Sequence, residues 1–156
     1  MLCLAGLKNT YGEKNMLWGV KTEASFDVWS VEHLVMGVSV ACFAAWLAKK
    51  IKGDEKISET LERRISFLIT LAVAFMWETL EHYLEEGLWG EAVEYWLQGV
   101  EHWSNRLICD NLMVLSGWCI YQQKHKAVWF ARVFSCVWLF VHIFIFEHSM
   151  YLHELF

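Results

Sequence analysis

Apolar residues run along this chain in long blocks separated by short polar stretches. Four blocks, 29–48, 65–83, 104–121 and 128–150, approach the roughly 20 apolar residues with which a helix crosses about 30 Å of hydrocarbon. The third is short unless it extends back through His102 and Trp103 or sits in locally thinned lipid. Residues 86–102 are acidic at Glu86, Glu91, Glu94 and Glu101, yet they carry Leu88, Trp89, Ala92, Val93, Trp96, Leu97 and Val100 at helical spacing. That pattern predicts an amphipathic helix lying in the membrane interface, with a plain connecting loop as the alternative. The expected fold is an all-α integral membrane four-helix bundle, one domain over 1–156, with an interfacial amphipathic helix and a polar N-terminal segment.

Composition agrees with that pattern. The sequence is 56% hydrophobic and 16% aromatic, above the roughly 45 to 50% apolar usage of an ordinary soluble domain. It contains no proline, which removes the commonest cause of helix kinks. Of its five cysteines, Cys42, Cys109, Cys119 and Cys136 fall in apolar segments and read as small buried hydrophobes, not a disulfide framework. The run Met1 to Leu7 turns polar at Lys8; it is too short for a secretory signal, so the first span is expected to direct its own insertion.

Basic residues predict the orientation. Lys49, Lys50, Lys52, Lys56, Arg63 and Arg64 lie between the first two spans, and Lys124, Lys126 and Arg132 lie at the junction of the last two. They outnumber Lys8, Lys14, Lys21 and Arg106 on the other side, which places both termini outside the cytoplasm. Ten tryptophans, several near predicted span ends, suit aromatic belts at the water boundary. A net charge of −5, with no basic stripe outside the loops, excludes a nucleic-acid partner. The expected partners are the lipid bilayer and other membrane subunits.

Polar residues within the apolar blocks carry the candidate chemistry. On the second span Ser66, Thr70, Ala74, Glu78 and His82 recur one helical turn apart, with Glu81 and Glu85 one step around the same face. Gly37, Ala41, Ala45 and Ala48 offer a small-residue face on the first span, as closely packed membrane helices do. Counting depth at about 1.5 Å per residue places Glu78, Asp110, His142, Glu32, His33, Glu147 and His148 in one outer layer. Arg132 lies near the opposite end, where its side chain can snorkel.

Three chemistries suit that layer. Glu78, Glu81, His82 and Asp110, flanked by His33 and His142, could ligate a divalent metal, since di-metal bundles use carboxylates and histidines one turn apart. Zinc, iron and manganese all fit such nitrogen and oxygen ligands, and a bound ion could activate water. His33 and His142 could instead clamp a haem, although no pair lies at a diagnostic spacing. A proton relay or headgroup pocket is the third reading, and its plain alternative is a structural network with Glu78 protonated or paired to Arg106. No serine elbow, phosphate-cradling glycine loop or paired-cysteine motif appears in the sequence. Small size, the many tryptophans and the lack of a catalytic motif suggest an accessory subunit of a larger membrane complex. Interhelical polar bonds in membranes average only about 0.6 kcal/mol, so the number of acidic groups in one layer argues back toward a site.

Three stretches also carry a family likeness. Ser30-Val31-Glu32-His33-Leu34-Val35-Met36-Gly37, Trp77-Glu78-Thr79-Leu80-Glu81-His82, and Gly99 to Gly117 with Asn105, Asp110 and Asn111 resemble a group of small uncharacterised bacterial membrane proteins. More loosely, they resemble the VanZ-like proteins. The likeness covers about 30–118 and implies His33, Gly37, Trp77, Glu78, Glu81, Asp110 and Gly117 as signature positions. The chain departs from the pattern in adding His82, His102, His142 and His148 and in its longer aromatic fourth span. Those families supply no settled reaction.

Overall fold

The computed structural model describes residues 16–52 and 58–145. The end of the fourth predicted span, with Glu147 and His148, lies outside the described residues, as do Lys8, Lys14 and Lys56.

The described chain opens with two short strands, β1 (Met16–Trp18) and β2 (Ala24–Phe26), paired in parallel with Met16 opposite Ala24 and Trp18 opposite Phe26. Parallel neighbours usually need a crossover of about a dozen residues or more. Here one tight turn suffices, because the Glu23 and Ala24 N–H groups both donate to the Val20 carbonyl, at 3.0 and 2.9 Å. No alternation in this polar segment announces the ribbon.

Helix α1 (Val28–Lys52) starts on a reciprocal cap. Asp27 Oδ1 accepts from the Ser30 N–H at 2.9 Å, and Ser30 Oγ accepts from the Asp27 N–H at 3.2 Å, so two otherwise unpaired donors are satisfied. Helix α2 (Glu59–Glu85) begins well before its apolar block. Ser58 Oγ accepts from the Leu61 N–H, and Glu59 and Glu62 occupy the first turn, where negative charge opposes the helix dipole. Helix α3 covers only Glu91–Leu97, although helical spacing of apolar residues runs over 86–102. Gly90 before it holds a φ of 91°, and Gln98 directly after Leu97 turns left-handed at φ 61° and ψ 40°, followed by Gly99 at φ 100°, so left-handed backbone bounds the helix at both ends.

A π-helical turn, Asn105–Cys109, leads into α4 (Asp110–Gln123), and α5 (Ala127–Phe144) closes the described chain. Three helices, α1, α2 and α5, are long and apolar enough to cross a membrane. At 14 residues α4 is not, but helical backbone precedes it from Trp103 onward.

Helix α1 packs against α2, α4 and α5, and α2 also meets α4. The approach of α1 to α4 is backbone to backbone. A Cβ on Gly37 would overlap the Val114 carbonyl and lie 2.7 Å from Val114 Cα, and one on Gly117 would overlap the Leu34 carbonyl. Small side chains fill the interior, among them Val38, Ala41, Ala44, Ala48, Ala74, Val114 and Ala131. Large apolar ones, including Phe43, Leu68, Met76, Trp129, Phe130 and Phe144, point outward. In water so continuous an apolar surface would be a liability, whereas lipid tails solvate it as well as a protein interior does.

Gly37→Ala and Gly117→Ala are each expected to destabilise the fold by about 1 to 3 kcal/mol through overpacking. Detergent-denaturation midpoints of the two variants measure this. Wild-type midpoints would show that α1 and α4 do not touch there.

Candidate metal centre

The start of α1, the end of α2 and the start of α4 meet at one end of the molecule, and each brings polar side chains inward. They sort into two neighbouring clusters that differ in how fully they are paired.

The first cluster ties the β-ribbon to the helices. Lys21 is 3% exposed and its Nζ lies 2.5 Å from Glu85 Oε1. Glu85 Oε2 accepts from the Arg106 guanidinium at 2.7 Å and from the Glu101 N–H at 3.1 Å. Asn105 Nδ2 donates to Asp27 Oδ2 and to Glu101 Oε1, both at 3.1 Å, and Ser30 Oγ donates to Asn105 Oδ1 at 3.3 Å. The His102 N–H donates to the Lys21 carbonyl at 2.8 Å, while Ser25 and Ser104 share a hydroxyl contact of 2.9 Å. Ribbon, caps and loop are thereby joined in one network.

Charge balance there follows from burial and neighbours. Burial opposes the Lys21 charge, but the carboxylates of Glu85, Glu81 and Glu101 outweigh it, so its pKa rises above the ordinary lysine value. Glu101 is pushed well above the ordinary carboxylate range, first by burial and then by the negative charges of Asp110 and Glu81.

The second cluster is His33, Glu78 and Asp110, one ligand-type atom from each lying within 4.8 Å of the others. All are buried, at 3%, 1% and 0% exposure. His33 Nδ1 lies 2.9 Å from the Trp29 carbonyl, one turn back on α1. Donation there fixes the tautomer and turns the Nε2 lone pair inward. Nε2 stands 3.2 Å from Glu78 Oε1, a close approach without hydrogen-bond alignment. Asp110 Oδ2 lies 3.7 Å from His33 Nδ1. Both carboxylate oxygens of Glu78 and both of Asp110 are buried without a hydrogen-bond partner.

The π turn explains how α4 supplies its part. Residues five apart on an α-helix point about 140° away from each other at 3.6 residues per turn. The Asp110 N–H instead donates to the Asn105 carbonyl, and that wider ring lets both residues face inward, each at 0% exposure. Asn111 Nδ2 donates to the Arg106 carbonyl at 2.8 Å and so occupies an acceptor beside the widened ring. Such π turns recur at functional sites.

Of the residues the sequence singles out, His33, Glu78 and Asp110 converge. Glu81, buried between the two clusters, exerts its charge on both His33 and Lys21. His82 lies outside the cluster, its side chain 33% exposed and 3.5 Å from Glu86. His142 is buried among aromatic rings instead, its ring 4.9 Å from Trp29 and 4.5 Å from Trp96. Sequence reasoning counts Lys21 only toward orientation, names Ser30 only within a family-like stretch and passes over Asp27. The Asp27-x-x-Ser30 spacing is a capping signal that could have found two of them, while nothing in the sequence marks Lys21 as buried.

No family model matches this sequence, and neither a curated protein nor a solved structure matches it.

Two expectations follow. Glu85→Ala leaves Lys21 and Arg106 buried without their shared anion, a change that costs about 3 to 5 kcal/mol when a buried pair is broken. Thermal unfolding in detergent reads it, and a loss below 1 kcal/mol would show the network to be dispensable. Burial and neighbouring negative charge raise the Glu101 pKa in the fold above its unfolded value. Its contribution is therefore complete below the ordinary glutamate pKa and is lost as pH rises through the higher folded value. Glu101→Gln should keep the Asn105 contact and flatten that loss, so the variant gains on wild type as thermal midpoints are followed from pH 5 to pH 9. Parallel curves would contradict the assignment.

Proposed function

We propose that this chain is a small membrane protein of four spans, with both termini outside the cytoplasm, that holds a divalent metal ion between His33, Glu78 and Asp110. One observation carries it: the four carboxylate oxygens of Glu78 and Asp110 lie buried without donors beside an inward-turned imidazole nitrogen. Buried carboxylates without partners are strongly unfavourable, and a cation between them removes the penalty. Spacing supports the same reading. Donors about 2.1 Å from one ion at a tetrahedral angle stand roughly 3.4 Å apart, and His33 Nε2 and Glu78 Oε1 are 3.2 Å apart. The backbone carbonyl behind His33 is the outer partner that metal-ligating histidines commonly have.

The donor set of one nitrogen and two carboxylates suits zinc, iron or manganese. Three protein ligands leave a position of a tetrahedral shell for water or substrate, which favours a catalytic centre over a closed structural one. Water bound there would be activated near neutral pH, with Glu81 the nearest further carboxylate on α2 to take up its proton.

A second reading, an accessory subunit of a larger membrane complex, draws on α5. That helix buries only Val128, Ala131 and His142 and turns Trp129, Phe130, Val133, Val137, Phe140 and Phe144 outward, a face that either lipid or a neighbouring subunit can cover.

Elemental analysis of protein purified in mild detergent tests the metal reading. Wild type and His82→Ala are expected to carry about one divalent ion per chain. Glu78→Gln and Asp110→Asn, which keep the side-chain shape, should lower the affinity at least 10-fold, the least that even outer-shell changes produce. Absence of stoichiometric metal from wild type, before and after incubation with zinc, iron(II) and manganese, would sink the proposal. Co-purification of stoichiometric partner chains would support the accessory role.

A further inference from the structure

The far end of α2 carries a second feature that the metal centre does not use. Thr60, Arg63, Arg64, Phe67 and Leu68 line a groove of about 460 Å³ against Trp118 of α4, a size in the ordinary range for ligand sites. Its chemistry is graded along the helix. Arg63 and Arg64 stand one turn before Phe67 and Leu68 respectively, so positive charge sits at the mouth and apolar surface lies about 5.4 Å further in.

Both arginines are exposed, and among the described residues neither guanidinium is held by an ion pair or hydrogen bond. The nearby Glu62 lies 3.6 Å from Lys49 instead. The apolar wall is fixed in advance. Trp118 Nε1–H donates to the buried Ser66 Oγ at 3.1 Å, and the Trp118 ring meets Phe67 edge to face at 5.3 Å. With its orientation set by those two contacts, Trp118 need not be ordered when a ligand arrives, which removes a cost of binding.

We propose that this groove binds one anionic diacyl phospholipid, its phosphate between Arg63 and Arg64 and the upper part of one acyl chain along Phe67, Leu68 and Trp118. Charge complementarity selects the occupant. Two adjacent guanidiniums without an ion pair among the described residues call for an anion, and an apolar wall one turn deeper calls for a hydrocarbon tail on it. Basic pockets between membrane helices bind anionic headgroups by the same logic. Neither a free phosphate nor a neutral lipid satisfies both halves of the groove.

Native mass spectrometry on protein released from bilayers of equal phosphatidylglycerol and phosphatidylcholine tests it. Wild type should retain phosphatidylglycerol preferentially, one molecule per chain. In the Arg63→Gln, Arg64→Gln double variant that preference should fall about 25-fold, since each basic residue near an anionic surface contributes roughly fivefold. Trp118→Leu should weaken retention without any change of charge. Lys49→Gln, at the same end but paired with Glu62, should retain the lipid as wild type does. Both arginines are exposed, so loss of fold is not expected, and elution from a sizing column checks that. The proposal is overturned if wild type shows no preference, if Lys49→Gln loses as much as the double variant, or if millimolar inorganic phosphate alone displaces the lipid.

Discussion

The backbone contact between α1 and α4 sets the geometry of everything at the polar end. Gly37 lies against the Val114 backbone. One turn back along each helix stand His33 and Asp110, so the absence of a Cβ at Gly37 fixes how near those two side chains come. Gly117 meets the same stretch of α1 from the α4 side, against the Leu34 carbonyl and the Gly37–Val38 peptide. Two such points define both the separation and the crossing of the helices, and helix α2 then needs only its small stripe of Ser66, Thr70 and Ala74 to bring Glu78 alongside. Membrane helices associate without a hydrophobic driving force, so close approach through small residues does this work.

Given that frame, the two polar clusters answer the same electrostatic problem differently. Around Glu85 each buried charge has a partner: Lys21 and Arg106 share one carboxylate, and a backbone N–H completes its shell. Glu101 Oε2 and Arg106 Nε keep no hydrogen-bond partner, but the network fastens the ribbon and the Glu101 loop over the helix ends. Around Glu78 the shell is open, with carboxylate oxygens facing inward and no donor supplied. Buried polar groups in folded proteins are nearly always paired. Glu78 and Asp110 each leave both oxygens without a hydrogen-bond partner, whereas both oxygens of Glu85 are paired, and this sets the two clusters apart.

Much of this was legible in the sequence, and the rest fails for physical reasons. The stripe of Ser66, Thr70, Ala74, Glu78 and Glu85 on α2 is visible because helical periodicity survives any tertiary context, and those residues are buried. The small-residue face around Gly37 is visible for the same reason. His82 and Glu78 are one turn apart, yet Glu78 is buried while the His82 side chain is 33% exposed; the buried face continues through Glu81 and Glu85 instead, and spacing alone does not tell to which side of the stripe packing follows. The inward turn of Asn105 together with Asp110 depends on a π turn, which changes the period where a pattern reader assumes it constant. The short α3 is hidden behind apolar spacing that left-handed backbone at both ends overrides. Lys21 is a long-range partner whose burial is decided by where the ribbon docks, a property no local pattern contains.

At the polar end buried acids exceed buried bases. Asp27, Glu78, Glu81, Glu85, Glu101 and Asp110 are all buried there, against Lys21, Arg106 and His33. Carboxylates outnumber cations even with His33 charged, and an unbalanced set of buried anions is far costlier than a balanced one. Burial and the negative charges of Asp110 and Glu81 favour the protonated form of Glu101 by raising its pKa. At Glu78 and Asp110 both oxygens of each carboxylate are buried without a hydrogen-bond partner. A divalent ion cancels two charges at once and bonds to several of those oxygens and to the imidazole nitrogen together. In the proposed centre such an ion would bridge α1, α2 and α4, which carry His33, Glu78 and Asp110.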